Sequence, residues 1–382
     1  MTSASAAAPA APEPAEALTP DPIVPAPDNA ALAAAPEITS AEAAPPPPAG
    51  RPRGPRGPRE QDNRPRVPKR DLDGWVLLDK PVGLTSTQAV TVVKRLFGAK
   101  KAGHAGTLDP LASGCLPIAF GEATKTVPYV MDGRKTYRFT VRFGIETDTD
   151  DAEGKPVASS DARPADAEIV AALASFRGEI MQVPPAYSAL KIGGERAYDL
   201  AREGAAVVLE ARPITVFSLE LVERPDADHA VLEAECGKGT YVRAIARDLG
   251  RVLGSRGHVA ALRRTSVGPF LEEDLVPLDE LRERADAGDE ALLDALDPVE
   301  FALEELPQIA VTPPDAHRLR CGQNVILRGR DAPIIDGHAA VFCQNALIAI
   351  GDVEAGEIYP HRVFNWAKRA KLPRRPDAEA PR

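Results

Sequence analysis

An α+β fold is predicted for this 382-residue chain from three observations. Residues 136–143 alternate without a break. Tyr137, Phe139, Val141 and Phe143 share one face and Thr136, Arg138, Thr140 and Arg142 the other, the period of a strand. Residues 85–97 instead gather Ala89, Val93, Leu96 and Phe97 on one helical face. After residue 306, short apolar runs crowd together at 309–311, 325–327, 339–342 and 346–350, and their spacing suggests a small β-barrel.

The chain begins with a segment that none of these patterns reaches. Residues 1–70 hold 17 of the 38 prolines and almost no aromatic side chains. Such a composition cannot bury enough apolar surface to offset its ordering entropy, so disorder is expected. Six acidic and no basic residues lie in 1–50, whereas Arg51 to Arg70 contribute eight basic against two acidic. The tail is therefore neutral, and the net charge of −10 belongs to residues 71–382. Within that acidic body, residues 85–142 carry nine Lys or Arg against three Asp or Glu. A locally basic face suits an anionic partner despite the total charge, although a solvated surface gives the same count.

Trp75 to Asp79 reads as a buried strand, turned by Lys80-Pro81-Val82-Gly83. Thr85 and Gln88 fit a capping box that opens the first helix, and Gly98 ends it. Lys100 and Lys101 follow, either to meet phosphate or simply as an exposed exit. Residues 144–154 are acidic. Glu153 stands where a calcium loop needs glycine, so a solvated loop is expected. A helix is predicted over 167–176, a turn at Gly193-Gly194, a short helix over 196–202, and strands over 214–222, 230–236 and 258–265. Residues 237–243 open a helix running to about 253, with Arg243, Arg247 and Arg251 four apart. Arg247 and Arg251 read as a solvated stripe. Arg243 lies in the first turn, where a cation opposes the helix dipole, which implies a specific anionic partner. From 272 to about 305 the chain reads as helical and acidic. Residues 367–382 form a short basic tail.

The densest chemistry lies in Gly103-His104-Ala105-Gly106-Thr107-Leu108-Asp109-Pro110-Leu111-Ala112-Ser113-Gly114. No amphipathic period crosses it, so it reads as a loop. Its glycines permit close backbone approach, and Pro110 restrains Asp109 to an extended conformation. A stiff loop presenting one carboxylate is the expectation. Asp-Pro alone is only a common turn pair; the histidine five residues earlier on the same loop asks for more. The four cysteines form no CxxC pair and none stands at zinc spacing from a histidine, so they read as reduced and structural, which fits the cytoplasm. No run is long enough for a membrane helix.

Residues 104–114, together with Leu78-Asp79-Lys80-Pro81-Val82-Gly83-Leu84-Thr85-Ser86 upstream, resemble the TruB family of pseudouridine synthases. Similarity runs from about Gly74 to about Phe364 and includes the Pro184 to Lys191 segment. The resemblance implies a pseudouridine-synthase fold with a mixed central sheet and flanking helices over 71–304, followed by a PUA-like RNA-binding domain over 305–366. It implies that a uridine in the T loop of tRNA is isomerised to pseudouridine. By family match Asp109 is the catalytic carboxylate, Arg243 its partner, and Tyr137 the ring that stacks on the base, although Tyr137 could equally be a core aromatic. His104, Tyr241, Leu262 and Lys80 complete the substrate site. The reaction oxidises nothing and loses no group, so neither cofactor nor metal is implied. The expected partner is the T arm of tRNA, with no membrane and no obligate protein partner, the chain acting as a monomer. Two rivals are a guide-RNA-dependent enzyme of ribosomal RNA and a tRNA-binding protein without chemistry. Asp109, Tyr137 and Arg243 together argue against the latter.

Overall fold

The first strand, β1 (Gly74–Lys80), is buried on both faces, which explains its unbroken apolar run. Val76 and Leu78 point into one core and Trp75 and Leu77 into another. The computed structural model describes residues 69–188, 191–192, 195–196, 209–327 and 335–366. The N-terminal tail to residue 68, the C-terminal tail from 367, the Gly193-Gly194 turn and nearly all of the predicted 196–202 helix lie outside them. Arg70, counted with the basic tail in the sequence, belongs to the folded body. Its backbone N–H donates to the Gly98 carbonyl, and its guanidinium reaches the Phe97 carbonyl and Asp289.

The capping box at Thr85 and Gln88 is present and opens α1 (Ser86–Leu96). Ala89, Val93 and Leu96 of α1 pack into the core with Val76, Leu78 and Leu281. The predicted loop is shorter than its glycines suggest. Residues 102–104 form β2 and residues 112–120 form β3, leaving 105–111 as the true loop. The reason is register: Gly103 pairs with Ala119, and Gly114 pairs with Lys80 and Arg264.

After a short helix α2 (Val127–Asp132), β4 (Lys135–Phe143) keeps its alternation. Phe139, Val141 and Phe143 enter the core, while Arg138 and Arg142 face out. Residues 144–154 differ from expectation. Ile145–Thr147 (β5) and Pro156–Ser159 (β6) pair as a hairpin, and Glu146, Thr147, Asp150 and Asp151 are buried. Arginines receive those carboxylates: buried Arg243 and Arg247 take Asp151 and Asp150, and half-exposed Arg251 takes Glu146.

Helix α3 (Asp166–Leu173) and strand β7 (Gly178–Gln182) follow, then a two-residue pair, β8 (Lys191–Ile192) and β9 (Glu195–Arg196). The long hairpin of β10 (Arg212–Glu223) and β11 (His229–Cys236) leads to α4 (Val242–Val252) and β12 (Gly257–Val267). The nine-stranded sheet also takes a short edge strand, β13 (Val276–Pro277). Its order is β13-β1-β3-β12-β4-β11-β10-β7, with β2 on β3. β12 runs parallel to β3 and antiparallel to β4, so the sheet is mixed and β12 is its seam.

The acidic stretch after residue 272 is not continuously helical. It breaks into α5 (Leu278–Ala287) and α6 (Asp289–Leu293), with Gly288 between them at φ 129°. Pro298 then precedes a five-residue 3-10 helix, Val299–Leu303. The C-terminal strands are β14 (Gln308–Ala310), β15 (Val325–Ile326), β16 (Gly337–Cys343), β17 (Ala346–Glu354) and β18 (Glu357–Val363). They pair in the open order β14-β16-β17-β18-β15 rather than closing a ring among the described residues. Helix α7 (Pro313–Arg320) covers one face through Ala316 and Leu319. From the other, Ala340, Leu347, Ile350 and Phe364 join the core that holds Trp75 and Leu77. No helix among the described residues is long and apolar enough to cross a membrane.

Candidate active site

The 105–111 loop is held at nearly every residue. Ala105 and Leu108 are buried anchors. The Ser86 hydroxyl, in the first turn of α1, donates to the Leu108 carbonyl at 2.9 Å and accepts from the Leu108 N–H at 2.8 Å. Gly83 N–H donates to the Pro110 carbonyl, and Ala112 N–H to that of Asp109. Between these ties the Asp109 carboxylate is 39% exposed.

Arg243, second residue of α4, places a guanidinium nitrogen 2.9 Å from that carboxylate. The expectation of an anionic partner in the first turn is met. The guanidinium is only 8% exposed and is fixed from behind: it donates to the carbonyls of Thr149 and Tyr187 and lies 3.5 Å from Asp151. Arg247, expected on a solvated stripe, is buried. It pairs with Asp150 and Asp248 and donates to the Val183 carbonyl. Arg251 is half exposed and pairs with Glu146. The acidic hairpin and α4 thus form one ion-paired support behind Arg243. Burial pushes the Asp150 carboxyl up to about 6 despite Arg247, while Arg247, with two carboxylates, is held charged.

Tyr137 opens β4 and packs against the core beneath the cleft. Burial raises its phenol, opposed by the charge and hydrogen bond of the Arg264 guanidinium. Tyr241 is the N-cap residue of α4 and exchanges two backbone hydrogen bonds with the Gln182 side chain. Burial raises its phenol too, against the Ser188 hydroxyl. Leu262 packs on both halves of the core at the seam. His104 is half-buried at the end of β2, and burial together with Arg264 lowers its pKa, favouring the neutral imidazole. Lys80 is fully buried, and its ammonium donates to the carbonyls of Pro81 and Leu84. Burial lowers it to about 8, with Asp109 opposing. In this geometry Lys80 holds the turn under Asp109 rather than opening towards RNA.

Sequence reasoning missed Ser86, Asp151 and Arg264. Arg263 and Arg264 stand side by side in a strand, where neighbours face opposite ways. One of the two had to point inward, and that signal was legible. Ser86 and Asp151 act through contacts that no local pattern announces.

The chain matches the descriptions "TruB family pseudouridylate synthase (N terminal domain)" over residues 94–242 and "tRNA pseudouridylate synthase B C-terminal domain" over residues 243–304. It is 60% identical over 314 residues to the tRNA pseudouridine synthase B of Bradyrhizobium diazoefficiens, covering 81% of this chain and 91% of that protein. The chain belongs to the TruB family of pseudouridylate synthases. A TruB relative from Rhodopseudomonas palustris is 61% identical, covering 80% of this chain and 84% of its own. Among solved structures, the chain is similar to one in a Cbf5-Nop10-Gar1 complex, with a TM-score of 0.61 and 26% identity over 76% of this chain and 84% of that one. A second, from an archaeal box H/ACA Nop10-Cbf5 complex, gives 0.59 and 27%, covering 76% and 85%. The TruB membership makes the chain an isomerase of RNA uridine, and the mixed sheet with its β-rich C-terminal unit is the fold it shares with those structures.

Proposed function

We propose that this chain isomerises a uridine in the T loop of tRNA to pseudouridine, with Asp109 as the catalytic carboxylate. The observation that carries the reading is a part-exposed carboxylate on an over-tied loop, 2.9 Å from a buried arginine. The reaction breaks the bond between uracil nitrogen and ribose, turns the base, and joins ribose to ring carbon; the proton on that carbon leaves and the freed nitrogen gains one. Asp109 either attacks the ribose or removes a proton from it, and Arg243, 2.9 Å away, holds the carboxylate in place. The base must first leave its stack, which costs a few kcal/mol. Stacking on Tyr137 recovers about 1–3 kcal/mol. His104 stands at the loop entrance to fill the space the base vacates, while Tyr241 and Leu262 wall the pocket and Lys80 braces its floor. Residues 305–366 and the basic side chains around the loop hold phosphates, positioning the RNA without specifying it.

The relatives named tRNA pseudouridine synthase B support tRNA as the substrate rather than ribosomal RNA; we further take the chain to act in the cytoplasm, without a guide or partner protein. The test is purified protein on bare tRNA transcript, with pseudouridine mapped by position. Wild type should modify one T-loop uridine; Asp109→Asn should bind tRNA and make none. Turnover by that variant, or activity only after a guide RNA is added, would overturn the reading.

A further inference from the structure

Arg264, in the middle of β12, is 1% exposed. A guanidinium there brings five N–H donors and a full charge into a dry interior, an arrangement less favourable than an apolar side chain unless the charge is matched. Among the described residues it makes no ion pair with a carboxylate. Its Nε donates to the Cys115 carbonyl at 2.8 Å and one Nη to the Gly106 carbonyl at 3.1 Å. These two carbonyls flank the segment that carries Asp109. Its third neighbour is the phenol of Tyr137, its cross-strand partner in β4.

Gly106 of the loop leaves room for this side chain, and Gly114 of β3 leaves room for its backbone. A Cβ on Gly106 would stand 3.2 Å from an Arg264 Nη, and one on Gly114 would stand 2.2 Å from the Arg264 carbonyl oxygen. Both glycines also have positive φ, 95° and 94°. Among the described residues, then, the buried guanidinium has no carboxylate partner, and the loop backbone at Gly106 leaves room for it. Packing alone does not call for either. What the fork supplies is a rigid link between two strands of the sheet, β3 beside the loop and β4 beneath the base, across the seam.

We propose that Arg264 is a positioning residue: it locks the Tyr137 ring in register with the loop that presents Asp109, without touching substrate. The inference rests on the roles given to Tyr137 and Asp109 above. The experiment compares wild type, Arg264→Lys, Tyr137→Phe and the double variant in single-turnover assays at saturating tRNA, alongside tRNA affinity and thermal melts. Arg264→Lys should keep tRNA affinity within about threefold and lose about 100-fold in rate, because an ammonium cannot reproduce the planar fork. In the Tyr137→Phe background the same substitution should cost less than about threefold, since residues acting as a unit are not additive. Multiplicative losses, or a near-wild-type rate, would overturn the proposal.

Fluorotyrosine labelling gives a readout independent of turnover. The chain has six tyrosines, and the Tyr137 fluorine resonance is identified by its loss in Tyr137→Phe. In Arg264→Lys that resonance should shift or broaden while the other five hold. If all six move together, Arg264 merely supports the fold. Should Arg264→Lys not fold, Gly106→Ala presses on the same guanidinium from the loop side and should move the same resonance; no movement would overturn the link. Wild-type protein inactive on tRNA would refute the reaction while leaving the resonance to decide the contact.

Discussion

At the scale of single residues, Arg243 joins four acceptors: Asp109, Asp151 and the carbonyls of Thr149 and Tyr187. Arg243→Met should therefore do two things. Turnover should fall by at least about 100-fold, and stability by about 3 kcal/mol, because the Asp151 carboxylate is left buried without its cation. Single-turnover kinetics and denaturant melts measure the two separately. Arg243→Lys should recover stability better than rate. A second residue sets a pH dependence. Asp150 has its folded pKa raised from 3.8 to about 6 by burial. The native state then binds more protons than the unfolded one between those values, so this group's contribution to stability is fully present below 3.8 and lost as pH rises through about 6. Melting temperatures of wild type and Asp150→Asn across that window should diverge, wild type losing ground as pH rises. A constant difference would show that the carboxyl is not perturbed. That Arg243 needs an anionic partner was legible, because a cation at a helix start needs a reason; that the partner is Asp109 came from the family resemblance. Asp150 was not, because an acidic run looks the same whether solvent or a buried arginine receives it.

At the scale of elements, the loop depends on what its neighbours lend it. Thr85 caps α1 and Ser86 clasps Leu108, so one helix start serves both itself and the loop. Thr85→Ala should cost about 1 kcal/mol, the usual value of a lost N-cap. Ser86→Ala should cost a comparable amount of stability but more activity, since the Leu108 N–H loses its partner beside Asp109. The capping box was readable from two letters; the clasp was not, since its partner lies 22 residues away. Gly114 is a stricter point. Alanine there would combine φ 94° with a Cβ 2.2 Å from backbone, which no rotamer relieves. Gly114→Ala should part β3 from β12 and destabilise by about 3 kcal/mol or more, visible as a melting shift of well over about 5 °C.

At the scale of the whole molecule, the C-terminal sheet is not an appendage. Ala340, Leu347, Ile350 and Phe364 share a core with Trp75, Leu77 and Phe270, and Lys125 donates to the Val363 carbonyl. A chain ending at residue 304 should aggregate or melt far below the full chain, because it would expose that core to water. The strands of this unit were visible in the sequence as short apolar runs. The face they bury was not, since alternation says that a face is covered without saying by what. The basic cluster in residues 51–70 makes a different prediction. Removing residues 1–68, which spares Arg70 and its ties, should leave turnover at saturating tRNA unchanged, weaken binding at low salt and flatten the salt dependence. An unchanged slope would take that cluster out of RNA binding.

The place of β12 has a consequence for how the molecule is made. It fills the gap between β3 and β4, yet it follows them by more than a hundred residues of chain. While the polypeptide is being synthesised, the segment with Asp109 and the segment with Tyr137 stand apart until residues 257–267 emerge. Closure across so long a separation is entropically slow. The nascent chain therefore waits with two unpaired strand edges, the condition in which intermediates are most prone to associate wrongly. Variants within β12 should burden folding yield in the cell more heavily than their effect on the finished protein's stability would suggest.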